Sequence, residues 1–323
     1  MAARRLPTPA RCTSRAHGRT LGWGSGRIGY NPGMTTASHD TSGIRHDTGA
    51  ILLAREIRFS IDRDWASAAH GEDGFAGARP ITNSWGGWPS AVGIAPYLVL
   101  RIEVAGAPDP VTGYLVNIME LDRLLRNHAL PLAARRLRER GVHLTGELLI
   151  RGIWNELSGR ESADWSMRAL TLWTTPHLSY AIRAGEADMT ELTQCFEFSA
   201  SHRLHVPSMS DDENRQYFGK CNNPNGHGHN YRVEVTIGRD ALDDAGRVAA
   251  IPKFESVVQR EVIDRLDHKH LNEDVPEFRN VNPSVENISR TIWSYLDGKL
   301  TPARLVRVRV WETAKTYAEY RGA

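Results

Sequence analysis

Two histidines stand two positions apart in "GKCNNPNGHGHNY", residues 219 to 231, with Cys221 six residues before the first of them. On a strand, side chains at i and i+2 share a face, so His227 and His229 can aim two imidazoles at one point. A third imidazole lies in "QCFEFSASHRLH", where alternation puts Phe196, Phe198, Ala200 and His202 on one face. A catalytic zinc site typically takes three protein ligands and keeps a fourth position open, a pattern that His202, His227 and His229 can meet. Each imidazole taken alone has a plainer reading as a core residue that has found a hydrogen-bond partner. Cys221 alone likewise reads as a small buried hydrophobe. Amid Gly, Asn and Pro beside two imidazoles it reads instead as a loop thiol whose pKa a nearby cation lowers.

The surrounding segments supply elements that would position these groups. "HGHNYRVEVTIG" continues the histidine face through Tyr231, Val233, Val235 and Ile237. "PKFESVVQREVIDRL" predicts a helix opened by Pro252, with Phe254, Val257, Val258, Val262 and Leu266 on its buried stripe. A second helix is predicted with Ser284 as N-cap, Ile288, Ile292, Tyr295 and Leu296 buried, and Gly298 as its stop. The last strand, "RLVRVRVWETAKTYAEY", has the inner parity Val306, Val308, Val310 and Glu312, so a carboxylate continues a row of valines.

The chain has 323 residues, more than one hydrophobic core usually serves, so two domains are expected. A net charge of +2 makes no general case for nucleic acid as a partner. No segment approaches the roughly 18 to 20 apolar residues that span a bilayer, so no membrane partner is expected. Cys12, Cys195 and Cys221 are far apart and form no C-x-x-C pair, which fits a reducing cytoplasm. Residues 1–48 carry arginines and no acidic residue before Asp40, without apolar periodicity. They read as a disordered or mis-called tail, with Met34 as an alternative start and an organelle transit peptide as the other reading.

The motifs "FSASHRL", "FGKCNNPNGHGHNY", "LDHKHLN", "PSVENI" and "VWET" together resemble, in order and spacing, the 6-pyruvoyl-tetrahydropterin synthase family, which includes the 6-carboxytetrahydropterin synthases of queuosine synthesis. The likeness covers residues 192–322. It implies an α+β tunnelling fold, or T-fold: an antiparallel four-stranded sheet with two helices on one face, closed into barrels by oligomerisation. It implies His202, His227 and His229 as zinc ligands, Cys221 as catalytic base, and Asp267 with His268 as its proton-transfer partners. Glu312 would anchor the pterin ring, with Ser284 and Glu286 as further substrate contacts. The implied reaction is elimination of triphosphate from 7,8-dihydroneopterin triphosphate to give 6-pyruvoyl-tetrahydropterin. Alternatives are the 6-carboxytetrahydropterin product or, in another class, a non-catalytic pterin-binding regulatory protein.

Residues 50–186 parallel the second half in order. "PYLVLRIEVAG" answers "NYRVEVTIG", "LIRGIWNEL" answers "NISRTIWSYL", and "LTLWTTPHLSYAI" answers "VRVWETAKTYAEY". A tandem of T-folds is expected, the first a degenerate copy. Its Arg63 stands for His202, Gly93 and Ala95 for His227 and His229, and Thr174 for Glu312. One zinc per chain follows, in a homo-oligomer of three chains with six T-fold units. The aromatic loop "NSWGGWP", residues 83–89, is expected to pack on its own domain.

Overall fold

The computed structural model describes residues 50–61, 95–186 and 188–322. The tail over 1–48, the "NSWGGWP" loop, Arg63 and Gly93 lie outside the described residues. The first half runs β1 (Ile51–Ser60), β2 (Tyr97–Gly106), α1 (Ile118–Leu124), a π-helical turn over Leu125–Ala129, α2 (Leu130–Arg140), α3 (Gly146–Leu157), β3 (Trp165–Thr175) and β4 (Leu178–Arg183). The second half opens with β5 (Thr190–His202), α4 (Asp211–Phe218) and β6 (His227–Arg239). Then come α5 (Ile251–Val258), a π-helical turn over Gln259–Ile263, α6 (Asp264–Leu266), β7 (Lys269–His270) and α7 (Leu271–Asp274). The half closes with α8 (Val285–Leu296), β8 (Arg304–Thr313) and β9 (Thr316–Tyr320).

The strands form one sheet in the order β1-β2-β3-β4-β5-β6-β8-β9, antiparallel throughout, with the short β7 lying parallel to β5. Among the described residues β1 to β4 of the first half and β5, β6, β8 and β9 of the second are four antiparallel strands each. The halves are not separate sheets, because β4 pairs with β5, Tyr180 facing Leu192. Alternation along β6 buries Tyr231, Val233, Val235 and Ile237, and the same face of β5 buries Phe198, Ala200 and His202. Those side chains and the helix stripes make one hydrophobic core. Among the described residues no helix is long and apolar enough to cross a membrane.

Local chemistry sets the helices as the sequence predicts. Ser284 caps α8 by accepting the Asn287 N–H, and Gly298 takes a left-handed φ of 73° just past its end. In α5 and its continuation the buried Phe254, Val258, Val262 and Leu266 recur every four residues, longer than the 3.6-residue α-helical period. The widened turn over Gln259–Ile263 takes up the difference and keeps the stripe on the sheet.

Two expectations need correction. Strand parity puts Val306 among the inward valines of the last strand, but a bulge between Thr236 and Ile237 puts Leu305 opposite Ile237 and leaves Val306 unpaired. An inserted residue slips the parity of everything before it, and Leu305 packs on the core instead. In the first half, matching Tyr97 to Tyr231 is wrong by one residue. Trp173 faces Val99 and Trp311 faces Arg232, so a match of the two tryptophans would set Leu98, rather than Tyr97, against Tyr231. Leu98 is buried, whereas Tyr97 is 41% exposed.

Candidate metal centre and its surroundings

The centre begins at the β5–β6 pairing, where His202 lies directly opposite His227 and Ala200 opposite His229. Gly226, one residue before His227, has φ 71°, and a Cβ there would come within 2.8 Å of His270 Nε2 and 3.0 Å of the His202 carbonyl. Only glycine makes this entry without strain. Beyond His202 the chain leaves the sheet, and asparagine side chains take over its backbone. Asn272 accepts from Arg203 N–H, Asn282 from His205 N–H and Asn214 from Val206 N–H, at 2.8, 2.9 and 2.8 Å. Asn214 is itself fully buried.

The three imidazoles converge. His202 and His227 ring centroids lie 4.5 Å apart, His202 and His229 5.2 Å, and His227 and His229 4.8 Å. Donor nitrogens of all three fall within 4.8 Å of one another. His202 Nδ1 is 2.7 Å from the Pro283 carbonyl, which can only accept, so Nδ1 carries the proton and Nε2 presents a lone pair. That Nε2 is 3.1 Å from His227 Nε2 and 3.4 Å from a Glu312 carboxylate oxygen. His229 Nε2 is buried without a hydrogen bond, 3.7 Å from the same carboxylate. Burial holds His202 down to about 4, with the neighbouring imidazoles adding to the shift, so the ring stays neutral. Burial and His229 also lower His227. Three imidazoles turned toward one another beside the Glu312 carboxylate form a cluster of nitrogen and oxygen ligands that a cation would satisfy.

The other expected residues are distributed around this cluster. Glu312, on β8, reaches the imidazoles as its inward parity predicts. Cys221 lies in the short helical turn Gly219–Asn222, and burial, then Glu312, push its thiol above the ordinary range. Its own protein surroundings thus oppose thiolate formation, and the lowering expected from the sequence would have to come from a bound cation. Ser284 and Glu286 sit in the first turn of α8, next to the Pro283 carbonyl that orients His202. Asp267 Oδ2 is 2.7 Å from His268 Nδ1, and Asp267 Oδ1 accepts the Ser199 N–H at 2.8 Å. These hydrogen bonds, that of Ser199 first, hold the Asp267 carboxyl below its usual range. His268 has φ 55° and opens onto a cleft lined by the outward Ser199, Ser201 and Asn230. Among the described residues no hydrogen bond joins the dyad to Cys221 within one chain.

Sequence reasoning missed the Pro283 carbonyl, the asparagine clamps and His270. The last of these is the second histidine of "LDHKH", and its Nδ1 is buried without a partner. Its i+2 spacing from His268 was available as a signal.

Three imidazoles beside a carboxylate and a thiol define a candidate metal-dependent enzyme centre. The 6-pyruvoyl tetrahydropterin synthase family profile matches residues 191–323. A human 6-pyruvoyl tetrahydrobiopterin synthase is 39% identical over 138 residues, 43% of this chain and 95% of that protein. The synthase of the same name from Poecilia reticulata is 43% identical over 133 residues, 41% of this chain and 89% of that protein. A 6-carboxy-5,6,7,8-tetrahydropterin synthase from Aquifex aeolicus is 26% identical over 160 residues, 41% of this chain and 97% of that protein. The chain belongs to the 6-pyruvoyl tetrahydropterin synthase family of lyases.

Proposed function

We propose that the second half is a zinc-dependent lyase that eliminates triphosphate from 7,8-dihydroneopterin triphosphate to give 6-pyruvoyl-tetrahydropterin. The observation that carries this reading is the convergence of ring nitrogens of His202, His227 and His229 to within 4.8 Å of one another, beside Glu312. These three histidines would hold the zinc. A cation bound there supplies Lewis acidity, which polarises the side-chain oxygens of the substrate and acidifies the neighbouring C–H. Cys221 Sγ takes that proton as general base. His268 passes protons, and Asp267 fixes its ring and stabilises its charged form. The triphosphate leaves with the electrons of its C–O bond, and tautomerisation completes the pyruvoyl side chain. Glu312 accepts hydrogen bonds from the amino and N–H groups of the pterin ring, while Ser284 and Glu286 complete the substrate contacts.

The first half we read as a degenerate T-fold copy. Among the described residues two strands, helices and two further strands follow one another as β5, β6, α5, α8, β8 and β9 do, and Thr174 stands for the carboxylate of Glu312. This reading gives one zinc per chain and a cytoplasmic homo-oligomer of three chains, six T-fold units in all. Incubating zinc-loaded protein with 7,8-dihydroneopterin triphosphate and identifying the product by mass spectrometry tests the function. 6-Pyruvoyl-tetrahydropterin is expected. The family tie to a 6-carboxytetrahydropterin synthase makes that compound, with acetaldehyde, the competing outcome. No turnover by folded, zinc-loaded protein would overturn both.

A further inference from the structure

Strand alternation turns one face of the sheet toward the helices and the other away from them, and on the second face the two halves meet across β4 and β5. The floor there is made of small side chains: Ser179 faces Thr193, and the Thr193 and Thr236 hydroxyls share a hydrogen bond at 2.8 Å. Longer side chains rise around it and border a cavity of about 400 Å³. Among the described residues five arginines and three glutamates line this cavity, drawn from both halves. Four of the five arginines hold a carboxylate at 3.2 Å or less. Arg183 of β4 meets Glu191 of β5 across the joint, Arg101 holds Glu56, and Arg309 and Arg321 both donate to Glu319.

Arg307, on β8, is the exception. Its side chain is 13% exposed, and its Nε is buried with no hydrogen-bond partner. The carboxylate it approaches, that of Glu319, is 3.8 Å away and already engaged twice. Burial lowers the guanidinium from its ordinary value and Arg309 and Arg183 press on it with like charge, while Glu319 and Glu191 only partly offset this. An arginine does not shed its proton at neutral pH, so a desolvated guanidinium with an idle donor is costly until an anion meets it. Glu103, a lining carboxylate with no ion pair among the described residues, does not answer it. It stands on β2, five strand spacings from β8, or roughly 24 Å along the sheet.

We infer that this cavity is an oxyanion site, separate from the histidine cluster, in which Arg307 of the second half, with Arg183 of the first nearby, takes the oxygens of a phosphate group. A guanidinium presents its donors as a planar fork that matches two oxygens of a phosphate at once. The anion supplies the partner that Glu319 cannot, and it offsets the repulsion among Arg307, Arg309 and Arg183. The site exists only where the halves join, because Arg183 and Ser179 come from β4 while Thr193 and Arg307 come from β5 and β8. It does not depend on the proposed lyase chemistry.

Calorimetric titration of the full-length chain with inorganic phosphate, against chloride of matched ionic strength, tests it. Zinc-loaded and metal-stripped protein alike should fill one Arg307-dependent site per chain. Arg307→Met should weaken that binding at least about 10-fold, and Arg307→Lys, which keeps the charge without the fork, should fall between the two. Arg135→Met, on the exposed surface of α2, should leave it unchanged. In chloride alone Arg307→Met should melt no lower than the parent chain, since the buried Nε has no hydrogen bond to lose. No binding by the parent chain, or equal binding by Arg307→Met, would overturn the inference. So would an Arg307→Met chain that melts well below the parent in chloride, because Arg307 would then be a structural ion-pair partner.

Discussion

His202 Nε2 stands 3.1 Å from His227 Nε2, while the other nitrogen of His202 is engaged 2.7 Å away by the Pro283 carbonyl. The backbone carbonyl thus chooses the tautomer that turns a lone pair toward a second imidazole. Replacing His202 or His227 by Ala should abolish stoichiometric zinc binding while the fold survives. The loss should exceed the roughly 10- to 100-fold typical of losing an outer-shell partner. Zinc retained after dialysis, with circular dichroism as the fold control, reads both parts.

Metal-free protein should weaken in mild acid. Burial holds His202 at about 4 in the folded chain against an ordinary 6.5 in the unfolded one, so between those values the unfolded chain binds more protons. Stability should therefore fall as pH drops through that window, by at most about 3 kcal/mol. Denaturant melts between pH 4 and 7 measure this. A flat profile would mean that the ring is not held neutral.

Cys221→Ala should leave zinc content and fold intact and reduce turnover about 10²- to 10⁴-fold. Because burial and Glu312 push the thiol upward in the protein alone, alkylation should need a higher pH without zinc than with it. Alkylation rates across pH in the two forms give the answer.

Asp267→Asn keeps an oxygen for the Ser199 N–H but removes the charge beside His268. Turnover should fall toward the lower end of the roughly 10²- to 10⁴-fold range, with zinc binding unchanged. Equal loss of both would recast Asp267 as a structural residue.

Glu147 accepts the Val248 N–H in a buried setting that pushes its carboxyl upward, burial being the main cause. The unfolded chain releases that proton first, so the contribution to stability declines as pH rises above the ordinary carboxyl value of 4.5. Glu147→Gln retains the acceptor without the charge. It should raise stability at neutral pH, on the order of 1 kcal/mol, and flatten that decline. Melting curves at pH 4.5 and 7.5 compare the two chains.

Much of the site was legible because it rests on strand period alone. His202, His227, His229 and Glu312 follow from alternation, and Ser284 and Gly298 from capping chemistry. What stayed hidden depends on distant pairing. Leu305 displaces Val306 only because β6 and β8 slip by one residue. The oxygen that orients His202 is a backbone atom 81 residues away, which no side-chain pattern encodes. Asn214, Asn272 and Asn282 look like loop residues until the segment after His202 is seen to have left its sheet partners. The β4–β5 joint was missed because a sheet edge carries no mark of which edge will meet it.

Zinc titration of metal-stripped protein, with triphosphate release from 7,8-dihydroneopterin triphosphate followed at each addition, tests the central claim most directly. The account predicts no release without metal and a rise in proportion to bound zinc that saturates at about one equivalent per chain. Full release from metal-stripped protein, or a rise that continues to two tightly bound equivalents, would contradict it.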